Sequence, residues 1–166
     1  MTKELYNETY YRRSKKFQCS VLRNESLLKI VMSYNPKRVL DVGCGRGLLV
    51  SMLREEGLEC FGIDFAPALK EKFWGDLPYF FEADAKSIPF PDKYFDIVVS
   101  SDFFEHLPES DIDMAFKEMN RVGNKVIARI PPQAKLTENQ QKYHITNQSK
   151  EWWQDKLKNL VIVEYD

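Results

Sequence analysis

The chain has 166 residues, 43% of them hydrophobic and 30% charged, the make-up of one soluble domain long enough to bury its own core. Lys and Arg (24) nearly balance Asp and Glu (25), so the basic surplus that marks nucleic-acid binding is missing and no nucleic-acid partner is expected. Three cysteines, Cys19, Cys44 and Cys60, share no CxxC spacing, and neither a polar N-terminus (Met1 to Ser20) nor any apolar run suggests a leader or a membrane span; a reduced, cytoplasmic setting is expected.

Asn24 is placed to cap a helix carrying Leu27, Leu28, Val31 and Met32. Arg38–Val42 reads as the first strand, followed by a glycine loop and a helix from Leu48 to Glu56 closed by Gly57. Glu59–Ile63 is the second strand, and Pro67–Trp74 a short helix with proline suited to its first turn. Tyr79–Glu82 is the third strand, and Phe95–Ser100 a fourth that reads as buried on both faces. A helix follows over Asp111–Val122, with Ile112, Ala115, Phe116 and Met119 on one face. Lys125–Ile130 makes a fifth strand stopped by Pro131-Pro132; after a polar loop come a helix over Ser149–Leu157 and a last strand over Leu160–Tyr165. Strands alternating with crossover helices define an α/β fold: a doubly wound, mostly parallel sheet of about six or seven strands, helices on both faces.

The informative segment is Asp41-Val42-Gly43-Cys44-Gly45-Arg46-Gly47. A strand-to-helix turn lies at the carboxyl edge of the sheet, where ligands bind, and glycines let a ligand approach the backbone closely. A dinucleotide loop wants GxGxxG, but the position for its last glycine is Leu48. Asp41 would also repel a pyrophosphate, whereas a carboxylate there suits a ligand bearing an amino group and a sulfonium. An NAD-linked oxidoreductase is disfavoured on both counts. Asp64, ending the second strand, is placed to accept ribose hydroxyls. Asp84, after the third, is placed to accept an adenine amine, with the Ala85 N–H facing the ring.

Taken in order, Asp41 to Gly47, Gly62-Ile63-Asp64, Glu82-Ala83-Asp84-Ala85 with Ile88-Pro89-Phe90, and Phe95 through Glu105-His106-Leu107 resemble the class I, Rossmann-like S-adenosylmethionine-dependent methyltransferases, nearest their type 11 small-molecule group. The resemblance runs from about Val39 to Ile130, with a weaker tail to Trp153. It implies S-adenosylmethionine as cofactor, S-adenosylhomocysteine as product and a small-molecule acceptor. Asp41 and the glycines Gly43, Gly45 and Gly47 would hold the methionine end, Asp64 the ribose and Asp84 the adenine. Ser101 and Asp102 would line the methyl-transfer site. Cys44 in the loop, Phe65 after Asp64, and Ala85 count with the cofactor residues. Tyr6, Tyr10 and Tyr11 belong to an N-terminal segment (1–35) that either covers the cofactor, with cation–π attraction, or packs against the body of the domain. The rest of a single domain divides into a cofactor-binding core (36–130) and a shortened acceptor side (131–166). Relatives usually end with two more strands where only one remains here, so a second copy or a partner chain is expected over that sheet edge.

Methyl transfer from a sulfonium is an in-line displacement, and the protein's main task is alignment. Where the acceptor must lose a proton, His106, His144 and Asp102 are the candidate catalytic groups. His106 reads equally as a residue fixing a local turn. No metal is required by this reading. One alternative does need one: Asp102-Phe-Phe-Glu105-His106 with His144 downstream is similar to the ExxEH…H arrangement of metal-dependent small-RNA 2′-O-methyltransferases, and its ExxEH part to ubiquinone-pathway O-methyltransferases. In that alternative Asp102, Glu105, His106 and His144 would hold a divalent ion, though Asp102 is shorter than the glutamate of the pattern. A further alternative is a methyltransferase-like binding or regulatory subunit acting through a partner. Of Trp152 and Trp153, adjacent on the last helix, one is expected in the core and one partly exposed.

Overall fold

The computed structural model describes residues 6–11, 17–131, 141–158 and 160–163. In chain order these form α1 (Glu8–Tyr11), α2 (Phe17–Ser33), β1 (Arg38–Val42), α3 (Leu48–Glu55), β2 (Glu59–Asp64), α4 (Pro67–Leu69, running into a π-helical turn over Lys70–Trp74), β3 (Phe80–Glu82), β4 (Phe95–Ser101), a 3-10 turn (Phe104–His106), α5 (Glu109–Val122), β5 (Gly123–Arg129), α6 (Lys150–Lys156) and β6 (Val161–Val163). The strands make one six-stranded sheet in the order β3-β2-β1-β4-β5-β6, every neighbouring pair parallel. The α/β, doubly wound architecture therefore stands, with six strands among the described residues.

Successive side chains on a strand point to opposite faces, and β1 shows this directly. Val39 belongs to a core with Leu27, Val31, Leu49, Val50 and Leu53, contributed by α2 and α3. Its neighbour Leu40 belongs to a second core with Ile112, Ala115, Met119 and Trp153, contributed by α5 and α6. Both cores are apolar, so the central strands β1 and β4 are buried on both sides. β1 lies between β2 and β4, the point where strand order reverses. Parallel sheets open a crevice there at their carboxyl ends.

Several local expectations need correction. Asn24 is not a helix cap: it sits inside the 17-residue α2, 8% exposed, and its side-chain oxygen accepts from Arg129. Its polarity signals a tertiary bond rather than a helix end. Asp96 breaks the two-sided burial of β4 because it is exposed and its carboxylate accepts from the N–H groups of Lys37 and Arg38 at 2.8 and 2.9 Å. β3 begins at Phe80, not Tyr79, whose carbonyl instead accepts from Gly62. Trp153 is core and Trp152 half-buried, as the helical spacing requires. Of the expected last strand, Val161–Val163 is observed, and residues 164–166 lie outside the described ones.

Candidate functional site

The loop between β1 and α3 is glycine-rich and held by hydrogen bonds to its backbone. Gly43, Gly45 and Gly47 all have positive φ (74°, 53° and 81°), a region costly for residues with a Cβ. Space forbids a side chain as well: a Cβ on Gly43 would meet the Phe103 ring at 2.5 Å, and one on Gly47 the Phe80 ring at 2.2 Å. The N–H groups of Gly43 and Cys44 both donate to the Ile63 carbonyl at 2.9 and 3.0 Å. The indole N–H of Trp74 donates to the Gly45 carbonyl at 2.9 Å, and Trp74 stacks on Phe80 at 5.1 Å. Trp74, at the end of the π-helical turn, thus braces the loop from beneath. Cys44 is buried beside it as a free thiol whose burial pushes its pKa up, which makes it packing rather than a nucleophile.

Asp64 closes the loop. Its Oδ2 accepts from Gly45 N–H at 3.0 Å and its Oδ1 from Ala66 N–H at 3.1 Å. A carboxylate offers about four lone-pair sites, so two bonds leave capacity for ribose hydroxyls. Asp41, 3% exposed, is different: its Oδ1 is buried with no hydrogen-bond partner among the described residues. Burial first, then the nearby Asp64 charge, push the Asp41 carboxyl up to about 7, against the pull of Arg129. Burial likewise takes Asp64 up to about 6, opposed by its backbone hydrogen bonds. An orphaned buried acid is expensive unless a ligand pairs it.

On the β3 side, Asp84 is exposed and ordinary in its own bonds: its carboxylate accepts from Lys86 N–H at 2.9 Å and pairs with the Lys86 ammonium at 3.8 Å. Ala85 is buried next to it. Phe65 packs edge-to-face with Tyr6 at 5.4 Å. Tyr6 is 5% exposed and, with Tyr10 and Tyr143, forms an aromatic roof at this end of the sheet (Tyr6–Tyr143 5.9 Å, Tyr10–Tyr143 4.7 Å). Tyr11 ends α1, but its side chain lies outside the described residues.

Past β4, Asp102 takes φ 53°, rare for a residue with a Cβ. Its N–H donates to the Arg129 carbonyl at 3.0 Å, and its Oδ2 lies 3.4 Å from Arg129 and 3.6 Å from Arg23. Arg129, 2% exposed at the end of β5, also donates to Ser101 Oγ and to the Arg23 carbonyl. It therefore fastens α2, β4 and Asp102 together. Sequence reasoning missed this residue; the available signal was a lone arginine in the apolar run Val126-Ile127-Ala128-Arg129-Ile130.

The two histidines, distant in sequence, meet here with ring centroids 4.9 Å apart. His106 Nδ1 lies 2.8 Å from the Tyr143 carbonyl and 3.1 Å from Tyr6 Oη. A carbonyl only accepts, so Nδ1 carries the proton, and in the neutral ring Nε2 carries the lone pair. Nε2 stands 3.9 Å from Glu105 Oε1. Glu105 is 2% exposed and neither of its carboxylate oxygens has a hydrogen-bond partner among the described residues; burial, reinforced by Asp102, pushes its pKa well up. The structure thus brings Glu105, His106 and His144 together, with candidate ligand atoms all within 4.8 Å. It does not bring Asp102 into that group as the four-residue alternative requires, because Asp102 is turned to Arg129 and Arg23.

Both the sequence and the fold match known proteins. A model of the methyltransferase domain family matches residues 40–125. The demethylmenaquinone methyltransferase of Thermus thermophilus is 38% identical over 112 residues, covering 60% of this chain and 50% of that one. The norajmaline N-methyltransferase of Rauvolfia serpentina is 32% identical over 105 residues, 55% of this chain and 34% of that one. Among solved structures, a SAM-dependent methyltransferase from Archaeoglobus fulgidus superposes with a TM-score of 0.64 at 25% identity, covering 81% of this chain and 66% of that one. The chain belongs to the methyltransferase domain family, on the Rossmann-like α/β fold. It spans half or less of the length of these two curated relatives.

Proposed function

We propose that the protein transfers a methyl group from S-adenosylmethionine to a small-molecule acceptor. The observation that carries this is Asp41 Oδ1: a buried acceptor atom without a partner among the described residues, one residue before the end of the central strand β1 and next to the glycine loop. The residues fit the cofactor. Asp41 is placed to receive an ammonium, the glycine loop to admit the methionyl chain, Asp64 to take ribose hydroxyls beside its two backbone bonds, and Phe65, Asp84 and Ala85 to border the adenine. When bound, the cofactor supplies an activated methyl group on a sulfonium. The protein's own contribution is position and dryness: Ser101 and Asp102 line the transfer edge under the grip of Arg129, and the Tyr6–Tyr10–Tyr143 roof keeps water from the sulfonium. His106, whose lone pair sits on Nε2, is the group placed to take a proton from an acceptor that must lose one.

The acceptor is taken to be small because the summed charge is near zero and the matched relatives are a demethylmenaquinone methyltransferase and a norajmaline N-methyltransferase. Two free buried cysteines suit a reducing compartment, and the cytoplasm is the assigned setting. No helix among the described residues is long and apolar enough to cross a membrane. The open side of the three-residue β6 is the edge we assign to a second copy or partner chain. Isothermal titration with S-adenosylmethionine, S-adenosylhomocysteine and NAD tests the reading. Binding of the first two without NAD is expected; binding of NAD alone would overturn it.

A further inference from the structure

We infer that the methyl acceptor is an amine, received as its ammonium between the Glu105 carboxylate and His106 Nε2 under the tyrosine roof. The inference rests on the methyltransferase reading and names the class of nucleophile at that same site: nitrogen rather than oxygen.

Glu105 sets the demand. It is 2% exposed, and neither carboxylate oxygen has a hydrogen-bond partner among the described residues. The neighbouring Asp102 already has its charge matched, with Oδ2 3.4 Å from Arg129 and 3.6 Å from Arg23, so Glu105 is the acid that calls for a cation. Burial, then the Asp102 charge, raise the Glu105 carboxyl in the unliganded protein; a cation alongside restores its ionised form. Glu105 Oε1 stands 3.9 Å from His106 Nε2, too far for a hydrogen bond between them. It is near enough for one donor atom to serve both, because two hydrogen bonds from a single ammonium nitrogen span roughly 4–5 Å. Both flanking atoms are acceptors, since Nδ1 carries the imidazole proton. A hydroxyl brings one proton and satisfies one of them. A primary ammonium brings three donors and the positive charge that a buried carboxylate needs.

The walls suit a cation as well. Tyr6 meets the His106 ring edge-to-face at 6.0 Å with its hydroxyl 3.1 Å from Nδ1, and the rings of Tyr10 and Tyr143 lie 5.0 and 5.9 Å from that of Tyr6. Burial raises the Tyr10 hydroxyl, with Glu105 the first charge adding to it, which puts Tyr10 close to the acid. Aromatic rings around one carboxylate are the chemistry that recognises ammonium groups. Three hydrogen bonds fasten the cage: His106 Nδ1–H to the Tyr143 carbonyl at 2.8 Å, Thr146 N–H to the Glu105 carbonyl at 3.0 Å, and Thr146 Oγ1–H to the Leu107 carbonyl at 2.7 Å. They tie the segment carrying Tyr143 to the turn carrying Glu105. In the transfer the ammonium first gives one proton to His106 Nε2. The freed nitrogen lone pair then forms the N–C bond as the C–S bond breaks, its electron pair staying on sulfur. The methylated nitrogen keeps a positive charge, opposite Glu105.

The test uses two probes of one shape, tert-butylammonium and tert-butanol. Each is titrated by saturation-transfer NMR into the full chain saturated with S-adenosylhomocysteine, so that the cofactor's own amino-acid end is filled. The ammonium should bind at least about tenfold tighter than the alcohol. Glu105→Gln should remove that preference, and Tyr10→Leu should weaken the ammonium about threefold without changing the alcohol. Circular dichroism shows whether each variant is folded, and the comparison of the two probes in the wild type stands without either. Equal binding of the probes, tighter binding of the alcohol or no binding of the ammonium would overturn the amine assignment and leave the methyltransferase reading standing. A preference that survives in a folded Glu105→Gln chain would overturn it too. Failure of S-adenosylhomocysteine itself to bind, measured beforehand by calorimetry, would overturn the methyltransferase reading instead.

Discussion

Asp41 carries a pH signature that can be read in solution. In the unliganded fold Asp41 and Asp64 titrate at about 7 and about 6, well above an unfolded aspartate near ~3.9. Between those values the folded state holds protons that the unfolded chain has lost, so these two groups make stability fall as pH rises, until the loss is complete above about 7. Asp41→Asn should flatten that fall in melting curves taken between acid and mildly alkaline pH. Cofactor affinity should run the other way, because an ammonium needs the ionised acid. Titration of S-adenosylhomocysteine should tighten as pH rises through about 7 and then level, and Asp41→Asn should be weaker and nearly pH-independent. At Gly45, with φ 53°, valine is both strained by about 1–3 kcal/mol and in the ligand's way; Gly45→Val should lose nucleoside binding altogether. Asp64→Ala should weaken it by about 1–3 kcal/mol, partly by releasing the Gly45 N–H that the carboxylate now holds.

At the scale of elements, the loop is only as rigid as what lies under it. Trp74→Phe keeps the stack on Phe80 but removes the indole bond to the Gly45 carbonyl. Melting should fall by the equivalent of about 1 kcal/mol, and nucleoside affinity should fall with it. Arg129→Met should loosen α2 from the ends of β4 and β5; a cost of about 2–3 kcal/mol is expected, below that of a fully buried pair because Asp102 is 30% exposed. Strands and helices whose burial is periodic were legible in the sequence: β1 matches the reading from Arg38 to Val42, and α5 differs only by starting at Glu109 rather than Asp111. Features made by tertiary contact were not. Asn24 looked like a cap because its chemistry is that of a cap, and only the fold shows Arg129 as its partner. Asp96 sits in a buried strand yet faces out to hold the backbone of Lys37 and Arg38.

For the whole molecule, the order β3-β2-β1-β4-β5-β6 puts every assigned group at one end of the sheet. Asp41 is the last residue but one of β1, Asp64 ends β2, Ser101 ends β4 and Arg129 ends β5. The candidate cofactor residues were named from their places along the chain: Asp41 within β1, Asp64 at the end of β2 and Asp84 two residues after β3. The acceptor half could not be read that way: His144 reaches His106 only through the hydrogen bonds of Tyr143 and Thr146, across 38 residues of chain. A crystal structure with S-adenosylhomocysteine bound is the most direct measurement. The ammonium should lie within hydrogen-bond reach of Asp41 Oδ1, the ribose against Asp64 and the thioether sulfur facing Ser101-Asp102. A nucleoside lodged away from the Gly43–Gly47 loop, or Asp41 still without a partner beside a bound ligand, would contradict the assignment of the site.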